Sequence, residues 1–502
     1  MDPCSRRSWL WLALLFIVLY GMDLAVPRDL WVQDEARYGE VVREMVEEGH
    51  WLVPHLNGHP YPDKPPLYFW LVAGVGTVVG QGELAFRLVS VGATAIAAVG
   101  TWWLGRGLLG AVGGIWAAAL FLSSFLTLMV GHIVRMDMLL TGAVAFAWLG
   151  LLRCREGWGS GLFWLATAVG IAVKGPIALL FTLLPALVWL IWEDGKGGLK
   201  RLKPWLGIAG LLVLVIGWIG AVELAGYTSY LSLIWNEQLV GRAVNSWSHK
   251  EPIWFYWVLL PLVAGPWTGL ILQGYRQLNP LWVKRMVVTF TLPPLIALSL
   301  VSGKLFIYLE PIFPGLAIFA AAGAVNLTGR IHYGLAASVA FLPILLGLGV
   351  AYGAHRYLAG AEPWGIVVGL GVLGLVPWVG RNRPRWLHHQ VAMMVLLNTL
   401  VFTALSPLVN PLFSARALGE NLASLAPEVP VAVVHTTRGV LNYYAGRRFD
   451  EMSADQIPAW WLTHPQGIVI SPDMPQNWPA TMRIRGRFTV ELKQYYVLDN
   501  SG

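Results

Sequence analysis

The sequence contains few charged residues. Asp, Glu, Lys and Arg together make up 13% of its 502 residues, whereas 56% of the residues are hydrophobic. Soluble domains carry about 25% charged residues, so the composition excludes a soluble globular fold. Apolar runs long enough to cross a bilayer recur along most of the chain. The sequence therefore predicts an all-α polytopic membrane protein.

Other absences exclude further classes of protein. The chain has only two cysteines, Cys4 and Cys154, and this excludes a disulfide framework. It contains no P-loop and no GxGxxG context that would bind a nucleotide, and no internal repeat of fixed period. The net charge is +7, but most basic residues fall in short loops between apolar runs. Such residues orient a membrane protein, so nucleic acid is not an expected partner.

The apolar runs predict about thirteen transmembrane helices. They begin near residues 8, 84, 111, 137, 160, 175, 204, 253, 285, 305, 332, 363 and 390. The first run follows Arg6 and Arg7 and lacks a small-x-small cleavage site, so we expect a retained anchor with a cytoplasmic N-terminus. A shorter run at 66–80 is predicted to be re-entrant or interfacial, because a further crossing would put the basic loops outside. The runs on either side of Lys174 are predicted to be separate helices.

Four regions follow from this topology. Residues 1–410 form the transmembrane domain, which contains a first external loop at 28–83 and a second large external loop at 225–252. From residue 411 to residue 502, Pro and charge become frequent, and VPVAVVHTT, QGIVIS and GRFTVELKQYYVL are strand-like. We expect a small α/β domain outside the cytoplasm. It could cap the catalytic face or be a packing appendage, and the sequence leaves both open.

The first external loop combines acidic residues with an amphipathic pattern. Asp34 and Glu35 follow the first apolar run directly. Apolar residues then recur near helical spacing and predict a helix on the membrane surface: Tyr38, Val41, Val42, Met45, Val46 and Trp51. The Pro-rich end of the loop, PHLNGHPYPDKPP, cannot be helical and is predicted to form a stiff turn that presents Lys64.

Many ionisable residues are predicted to lie on the external side of the membrane in this topology, most of them as single charges in apolar sequence. They are Asp34, Glu35, Asp63, Lys64, Asp137, Lys174 and Lys304, with Glu237, Arg242, His249, Lys250 and Glu251 in the second large loop. Any one of them can be a snorkelling or helix-end residue, but a charge at a membrane boundary is costly unless it is paired or faces a wet cavity. Their convergence on one face indicates a site. A carboxylate could act there as general base, and cations could hold a lipid phosphate.

An ordered series of motifs resembles the GT-C membrane glycosyltransferases over residues 1 to about 325. The nearest branch contains the lipid A aminoarabinose transferases and the dolichyl-phosphate-mannose:protein mannosyltransferase-like proteins. The motifs are Asp34-Glu35-x-Arg37-Tyr38, Lys64-Pro65-Pro66, Arg135-Met136-Asp137, Lys174-Gly175-Pro176, His249-Lys250-Glu251-Pro252-x-Trp254-Phe255-Tyr256 and Ser302-Gly303-Lys304-Leu305-x-x-Tyr308. The resemblance implies a helical bundle with interfacial helices in the first external loop, and a polyprenyl-phosphate-linked sugar as donor.

The resemblance also implies roles for individual residues. Three residues are expected to be catalytic: Asp34 as the catalytic carboxylate, Asp137 as a second acid, and Glu35, which lies beside Asp34 in the same motif. The residues expected to bind the donor phosphate are Lys64, Arg242, Lys304, Tyr308 and Lys174. A divalent metal (Zn, Mg or Mn) is allowed at Asp63 with Glu237 or His249, and no other cofactor is expected.

The function predicted from the sequence is an inverting glycosyl transfer to a lipid acceptor, such as a lipid A-like glycolipid, at the outer face of the inner membrane. Phe306 and Lys250 depart from the residues usual in aminoarabinose transferases, and these departures leave the sugar and the acceptor open. One alternative is a protein O-mannosyltransferase that uses the same donor class. An alternative of another class is a transporter or flippase for the lipid carrier, which predicts charges near the bilayer midplane and often an internal repeat.

Overall fold

The structure is a computed structural model. It describes residues 3–26, 28–31, 33–234, 250–325, 386–401, 406–434, 439–472 and 482–500, with a few isolated positions between 327 and 375. Its contacts divide the chain into two compact units. The first comprises residues 1–25, 62–65 and 89–400, and the second comprises residues 26–61, 66–88 and 401–502.

The helices and strands are numbered in chain order over these residues. The α-helices are α1 (Pro3–Tyr20), α2 (Met22–Ala25), α3 (Gln33–Glu48), α4 (Leu67–Val79), α5 (Glu83–Leu122), α6 (Phe125–His132), α7 (Asp137–Leu152), α8 (Trp158–Lys174), α9 (Ala178–Phe181), α10 (Leu183–Asp194), α11 (Pro204–Leu224), α12 (Thr228–Leu233), α13 (Phe255–Val263), α14 (Thr268–Gln277), α15 (Leu281–Leu300), α16 (Phe313–Val325), α17 (Trp386–Leu400), α18 (Ser406–Phe413), α19 (Arg416–Ala423), α20 (Asn442–Ala445) and α21 (Ile457–Thr463). Short 3₁₀ helices cover Cys154–Glu156, Gly175–Ile177, Gly195–Leu202, Phe306–Ile312 and Ala454–Gln456. The strands are β1 (His55–Leu56), β2 (His59–Pro60), β3 (Val431–Val434), β4 (Asp450–Met452), β5 (Ile468–Ser471), β6 (Arg483–Val490) and β7 (Lys493–Asp499).

Within the described residues, six helical stretches are long and apolar enough to cross a membrane, or seven if one bent pair counts as a span. The count of about thirteen is therefore not reproduced, and the runs near 332 and 363 lie almost entirely outside the described residues. The runs near 84 and 111 both lie in α5, which consists of two helices that meet at a kink at Gly110 (φ 79°). The run near 253 is not one straight span, because α13 and α14 meet at 100° around Gly265-Pro266.

The first unit contains a large apolar core to which most of its helices contribute. Helices α14 and α16 pack especially closely, since a Cβ added at Gly274 would lie 1.7 Å from the carbonyl oxygen of Phe319. Small residues at such crossings let two helix backbones approach, which is how helices associate in a membrane. Helix α8 ends at Lys174, where Gly175 takes a positive φ of 78°. Separate helices, α8 and α9, lie on either side of Lys174 as predicted, although residues 158–202 count as one candidate span.

The second unit contains a mixed five-stranded sheet of order β4-β3-β5-β7-β6. Strand β3 pairs in parallel with β4 and β5, whereas β7 pairs antiparallel with β5 and β6. The three strand-like runs of the sequence are all strands, and the third forms the β6–β7 hairpin. Strand β4 did not stand out in the sequence because it is only three residues long. Helix α21 packs Trp460 and Trp461 into a core with Ala432 and Leu498.

Helix α3 of the second unit has the predicted amphipathic stripe. Tyr38, Val41, Val42 and Met45 are buried along one face, but the helix ends at Glu48, so Trp51 lies beyond it and is 44% exposed. The Pro-rich stretch that follows is not helical, as predicted. It contains the β1–β2 hairpin, whose two-residue turn Asn57-Gly58 has positive φ at both positions. Helix α4 has 13 residues and is too short to count as a span, so a re-entrant or interfacial position for it remains a prediction.

Candidate active site

The acid pair lies in the first turn of α3, where negative charge is favoured by the helix dipole. The carboxylate of Glu35 reaches back and accepts the backbone N–H of Trp31 at 2.7 Å. Arg28 donates to both Glu35 oxygens, at 2.9 and 3.1 Å. Two parallel hydrogen bonds of this kind are strong and fix the geometry. The N-terminus of α3 is therefore anchored by Glu35.

The two neighbouring acids differ in their surroundings. The side chain of Glu35 is completely buried and paired with Arg28, whereas the side chain of Asp34 is 25% exposed, with Arg37 at 3.4 Å. The geometry favours Asp34 for chemistry and gives Glu35 a positioning role, and their catalytic assignment remains a prediction.

The second predicted acid lies in the first unit. Asp137 begins α7 and is buried. Its carboxylate accepts a hydrogen bond from Arg135 Nε at 3.2 Å and another from Lys174 Nζ. The Lys174 ammonium also lies 4.9 Å from the centre of the Tyr308 ring, a cation–π distance. Asp137, Lys174 and Tyr308, which were all predicted from the sequence, thus lie together, and Arg135 contacts the same carboxylate.

Lys304 is held by the segment that precedes α13. Its side chain is almost completely buried, and Nζ donates to the carbonyl oxygen of Glu251 at 2.8 Å. A β-bridge between Lys250 and Gly303 holds the two segments together. Because Tyr308 lies in the 3₁₀ helix that begins two residues after Lys304, the same local backbone carries two of the residues expected to bind the donor.

Asp63 and Lys64 are half-buried in the turn before α4 and belong to the first unit. Asp63 lies close enough to Tyr230 to affect that phenol. Burial is the main cause that raises the pKa of Tyr230, and the Asp63 carboxylate raises it further. Arg242, Glu237 and His249 lie at 235–249, outside the described residues. The predicted metal set, Asp63 with Glu237 or His249, stays a prediction.

The second unit contains another cluster of side chains of the kinds that bind metal ions. Atoms of Glu44, Glu48 and His50 lie within 4.8 Å of one another. However, Arg448 forms an ion pair with Glu48, and both oxygens of Glu44 accept the backbone N–H of Gly58 at 3.1 Å. A guanidinium already supplies positive charge to this group, so these contacts do not favour a metal.

Two residues of the first unit were not singled out by the sequence. Arg135 appeared in a motif without a role, although its spacing of two residues from Asp137 was a signal. Glu310 is completely buried and accepts a hydrogen bond from Thr127 at 2.9 Å. Its other oxygen, Oε2, has no hydrogen-bond partner within the part of the chain that the structure describes. A carboxylate inside an apolar run, LEPIF, was the signal that could have identified it.

The family described as dolichyl-phosphate-mannose-protein mannosyltransferase matches residues 63–220. The undecaprenyl phosphate-α-4-amino-4-deoxy-L-arabinose arabinosyl transferase of Edwardsiella ictaluri is 31% identical over 408 residues, which cover 79% of this chain and 70% of that protein. The chain belongs to this arabinosyl transferase family. It is a membrane glycosyltransferase, which confirms the predicted class over the transporter alternative. The relative of the same name from Shewanella sediminis is 27% identical and covers 89% of this chain and 86% of that protein.

Solved structures extend the arabinosyl transferase likeness to the fold. ArnT from Cupriavidus metallidurans bound to undecaprenyl phosphate matches with a TM-score of 0.75 and 20% identity, covering 97% of both chains. The apo oligosaccharyltransferase of Archaeoglobus fulgidus matches with a TM-score of 0.53 and 10% identity, covering 93% of this chain and 69% of that one. The predicted GT-C architecture is thereby confirmed, and with it a multi-pass protein of the inner membrane.

Proposed function

We propose that this arabinosyl transferase family member moves a sugar from a polyprenyl-phosphate donor to a lipid acceptor with inversion, and that Asp34 is its catalytic carboxylate. The observation that carries the proposal is the contrast between the two acids at the start of α3. Glu35 is buried and paired with Arg28, whereas Asp34 is partly exposed beside it. A carboxylate that is to act on an incoming substrate must be accessible to it.

The proposed step breaks the bond between the anomeric carbon and the phosphate oxygen of the donor. An acceptor oxygen forms the new bond to the anomeric carbon, and the polyprenyl phosphate leaves with the electron pair. Where the acceptor oxygen carries a proton, that proton passes to Asp34 as the new bond forms. No nucleotide is needed, because the phosphate ester supplies the leaving group.

The cations of the first unit support donor binding. Lys174 and Arg135 both pair with the buried Asp137, and Lys174 also lies over the Tyr308 ring. We propose that Lys174 and Lys304, with Lys64 and Arg242, stabilise the leaving phosphate, because charge-assisted hydrogen bonds to phosphate oxygens strengthen as negative charge develops. Asp137 holds Lys174 and Arg135 in place and assists as the second acid.

The names of the relatives suggest the donor. We propose undecaprenyl phosphate-α-4-amino-4-deoxy-L-arabinose as donor and a lipid A-type glycolipid as acceptor. A protein hydroxyl is the second candidate acceptor, since the mannosyltransferase family matches residues 63–220. Extraction into organic solvent separates the two products, because a labelled glycolipid partitions into the solvent and a labelled protein does not.

The test is turnover of a radiolabelled donor by purified protein. Lipid A and a delipidated membrane-protein fraction serve as parallel acceptors. We expect Asp34→Asn to abolish transfer while donor binding persists. Glu47→Gln is the matched control, because Glu47 is a more exposed carboxylate on the same helix, and this variant should retain full activity. Wild-type turnover by Asp34→Asn would refute the proposal.

A chelator arm of the same assay tests the metal. Asp63, with Glu237 or His249, is the proposed ligand set for a divalent cation. Activity that is lost in chelator and restored by Zn²⁺, Mg²⁺ or Mn²⁺ would support a metal, and undiminished activity would remove it from the proposal.

We further propose that the N-terminus is cytoplasmic and that residues 411–502 lie on the periplasmic side. The basic loops between apolar runs support this orientation, since such loops stay in the cytoplasm. Alkylation of cysteines introduced singly at Ser8 and Ser424 by an impermeant reagent in whole cells tests it. We expect label at position 424 and none at position 8, and the opposite pattern would invert the topology.

A further inference from the structure

The segment just before the acid pair is bound by helices from the end of the chain. The backbone N–H of Leu30 donates to the Tyr444 hydroxyl of α20 at 2.7 Å. The backbone N–H of Asp29 donates to the side-chain oxygen of Asn410 in α18 at 3.1 Å. Two consecutive backbone donors outside any helix or strand are thus satisfied by side chains that lie 381 and 414 residues away in sequence, and such donors need a partner when buried.

Side chains of the segment are bound as well. The Asn410 amide donates to Asp29 Oδ2 at 3.0 Å, and its oxygen also accepts the indole N–H of Trp31. Arg416 Nε donates to Asp29 Oδ1 at 2.7 Å, and the same guanidinium pairs with Glu83 and lies 4.9 Å from the centre of the Tyr444 ring. The Asn410 amide therefore binds Asp29 and Trp31, the Arg416 guanidinium binds Asp29, and the Tyr444 hydroxyl binds Leu30.

These contacts continue into α3. The Trp31 N–H donates to Glu35, and Glu35 is held by Arg28 on its other side. One turn later, the face of α3 at Gly39 rests on the Tyr443 ring, where an added Cβ would lie 2.7 Å from the ring. Asp34 immediately precedes Glu35, so both the segment that leads into it and the helix that follows it are bound by the C-terminal region.

We propose that Asn410, Arg416 and Tyr444 are positioning residues for the glycosyl transfer, which orient the Asp34 carboxylate by fixing residues 28–35. The inference rests on the proposed role of Asp34. It assigns the C-terminal region a part in the reaction rather than the role of an appendage. Positioning of this kind matters because displacing a reacting group by about 1 Å can cost about a hundredfold in rate.

The experiment uses two substitutions, each of which removes a side-chain group that binds residues 29–31, and a control substitution at a neighbouring residue. Asn410→Ala removes the amide that binds Asp29 and Trp31, and Tyr444→Phe removes one oxygen but keeps the ring beneath Arg416. Tyr443→Phe is the control, because the Tyr443 hydroxyl makes no hydrogen bond among the described residues while its ring packs on Gly39. Each variant is assayed with radiolabelled undecaprenyl phosphate-α-4-amino-4-deoxy-L-arabinose and the acceptor that the wild type uses.

We expect kcat per folded enzyme to fall about tenfold or more in Asn410→Ala and about fivefold in Tyr444→Phe, which loses one hydrogen bond. KM for the donor should stay within about twofold of wild type, because the proposed phosphate-binding residues belong to the other unit. Tyr443→Phe should retain wild-type kcat.

The outcomes separate this inference from the proposed function. Wild-type kcat per folded enzyme in Asn410→Ala and Tyr444→Phe, even with a lower melting temperature, would show a merely structural role and overturn the inference. If Asn410→Ala does not fold, the single-oxygen deletion in Tyr444→Phe decides. Retained turnover by Asp34→Asn would instead refute the proposed function, and this inference with it.

Discussion

The guanidinium of Arg28 and the carboxylate of Glu35 form two hydrogen bonds, at 2.9 and 3.1 Å, and both side chains are almost completely buried. A buried ion pair contributes little over a hydrophobic pair, but losing one partner leaves an uncompensated charge in a dry environment. This pair therefore makes the start of α3 sensitive to substitution at residues that need not touch substrate.

Glu35→Gln should destabilise the protein by about 3–5 kcal/mol, because Arg28 stays buried without its counter-charge. Thermal unfolding in detergent measures the loss. Replacing both partners, Arg28→Met with Glu35→Leu, should recover much of the stability. A Glu35→Gln variant as stable as wild type would show that the pair does not anchor α3.

Lys174→Met should weaken donor binding. It removes one of two cations on Asp137, and a hydrogen bond to a charged group contributes about 1.5–3 kcal/mol, or roughly tenfold to a hundredfold in affinity. Lys284→Met is the matched control, because Lys284 also lies over a tyrosine ring, 4.5 Å from the centre of Tyr275, and no role is proposed for it. Equal donor affinity in the two variants would contradict the assignment of Lys174.

Stability should depend on pH through Glu40. Burial raises the pKa of Glu40 from 4.5 to about 7, against the lowering effect of its ion pair with Arg43. A carboxyl whose pKa is raised on folding contributes stability that is fully present below pH 4.5 and is lost as the pH rises through about 7.

The melting temperature should therefore fall between pH 4.5 and about pH 7 more steeply in wild type than in Glu40→Gln, which cannot titrate. The corresponding change in the free energy of unfolding should differ between the two proteins by about 1–3 kcal/mol across this window. Comparing the variants removes the contribution of other groups, among them His55, whose pKa is lowered by burial. Parallel curves would contradict the raised pKa.

Gly274→Ala should disrupt the contact between α14 and α16, because the added Cβ would overlap the Phe319 carbonyl oxygen. Overpacking of this kind costs about 1–3 kcal/mol. Gly210→Ala is the control, since a Cβ at this exposed helical position meets nothing within 4 Å. Detergent melting temperatures compare the two, and similar values would show that the helices are not closely packed.

Local patterns predicted much of the fold and part of the site. Alternating apolar residues identified three strand-like runs, and apolar residues at helical spacing identified α3. Single charges in apolar sequence pointed to Asp137 and Lys174, which the structure joins by an ion pair. The number of spans was harder to predict from the sequence. Two apolar runs lie in α5 on either side of the kink at Gly110, and the bend before α14 divides another run.

The sequence by itself determined the class of protein, the helical membrane part and the residue types of the site. Hydrophobicity and charge are local properties, and burying a charge in lipid is costly wherever it occurs. Only the tertiary structure decided that Glu35 is buried in an ion pair with Arg28 while Asp34 stays partly exposed. It also decided that Asn410 and Tyr444 bind the segment that precedes these two acids. These contacts join residues 381 and 414 positions apart. A periodic pattern in the sequence does not predict such a pairing, because the pairing depends on how separate helices and loops pack together.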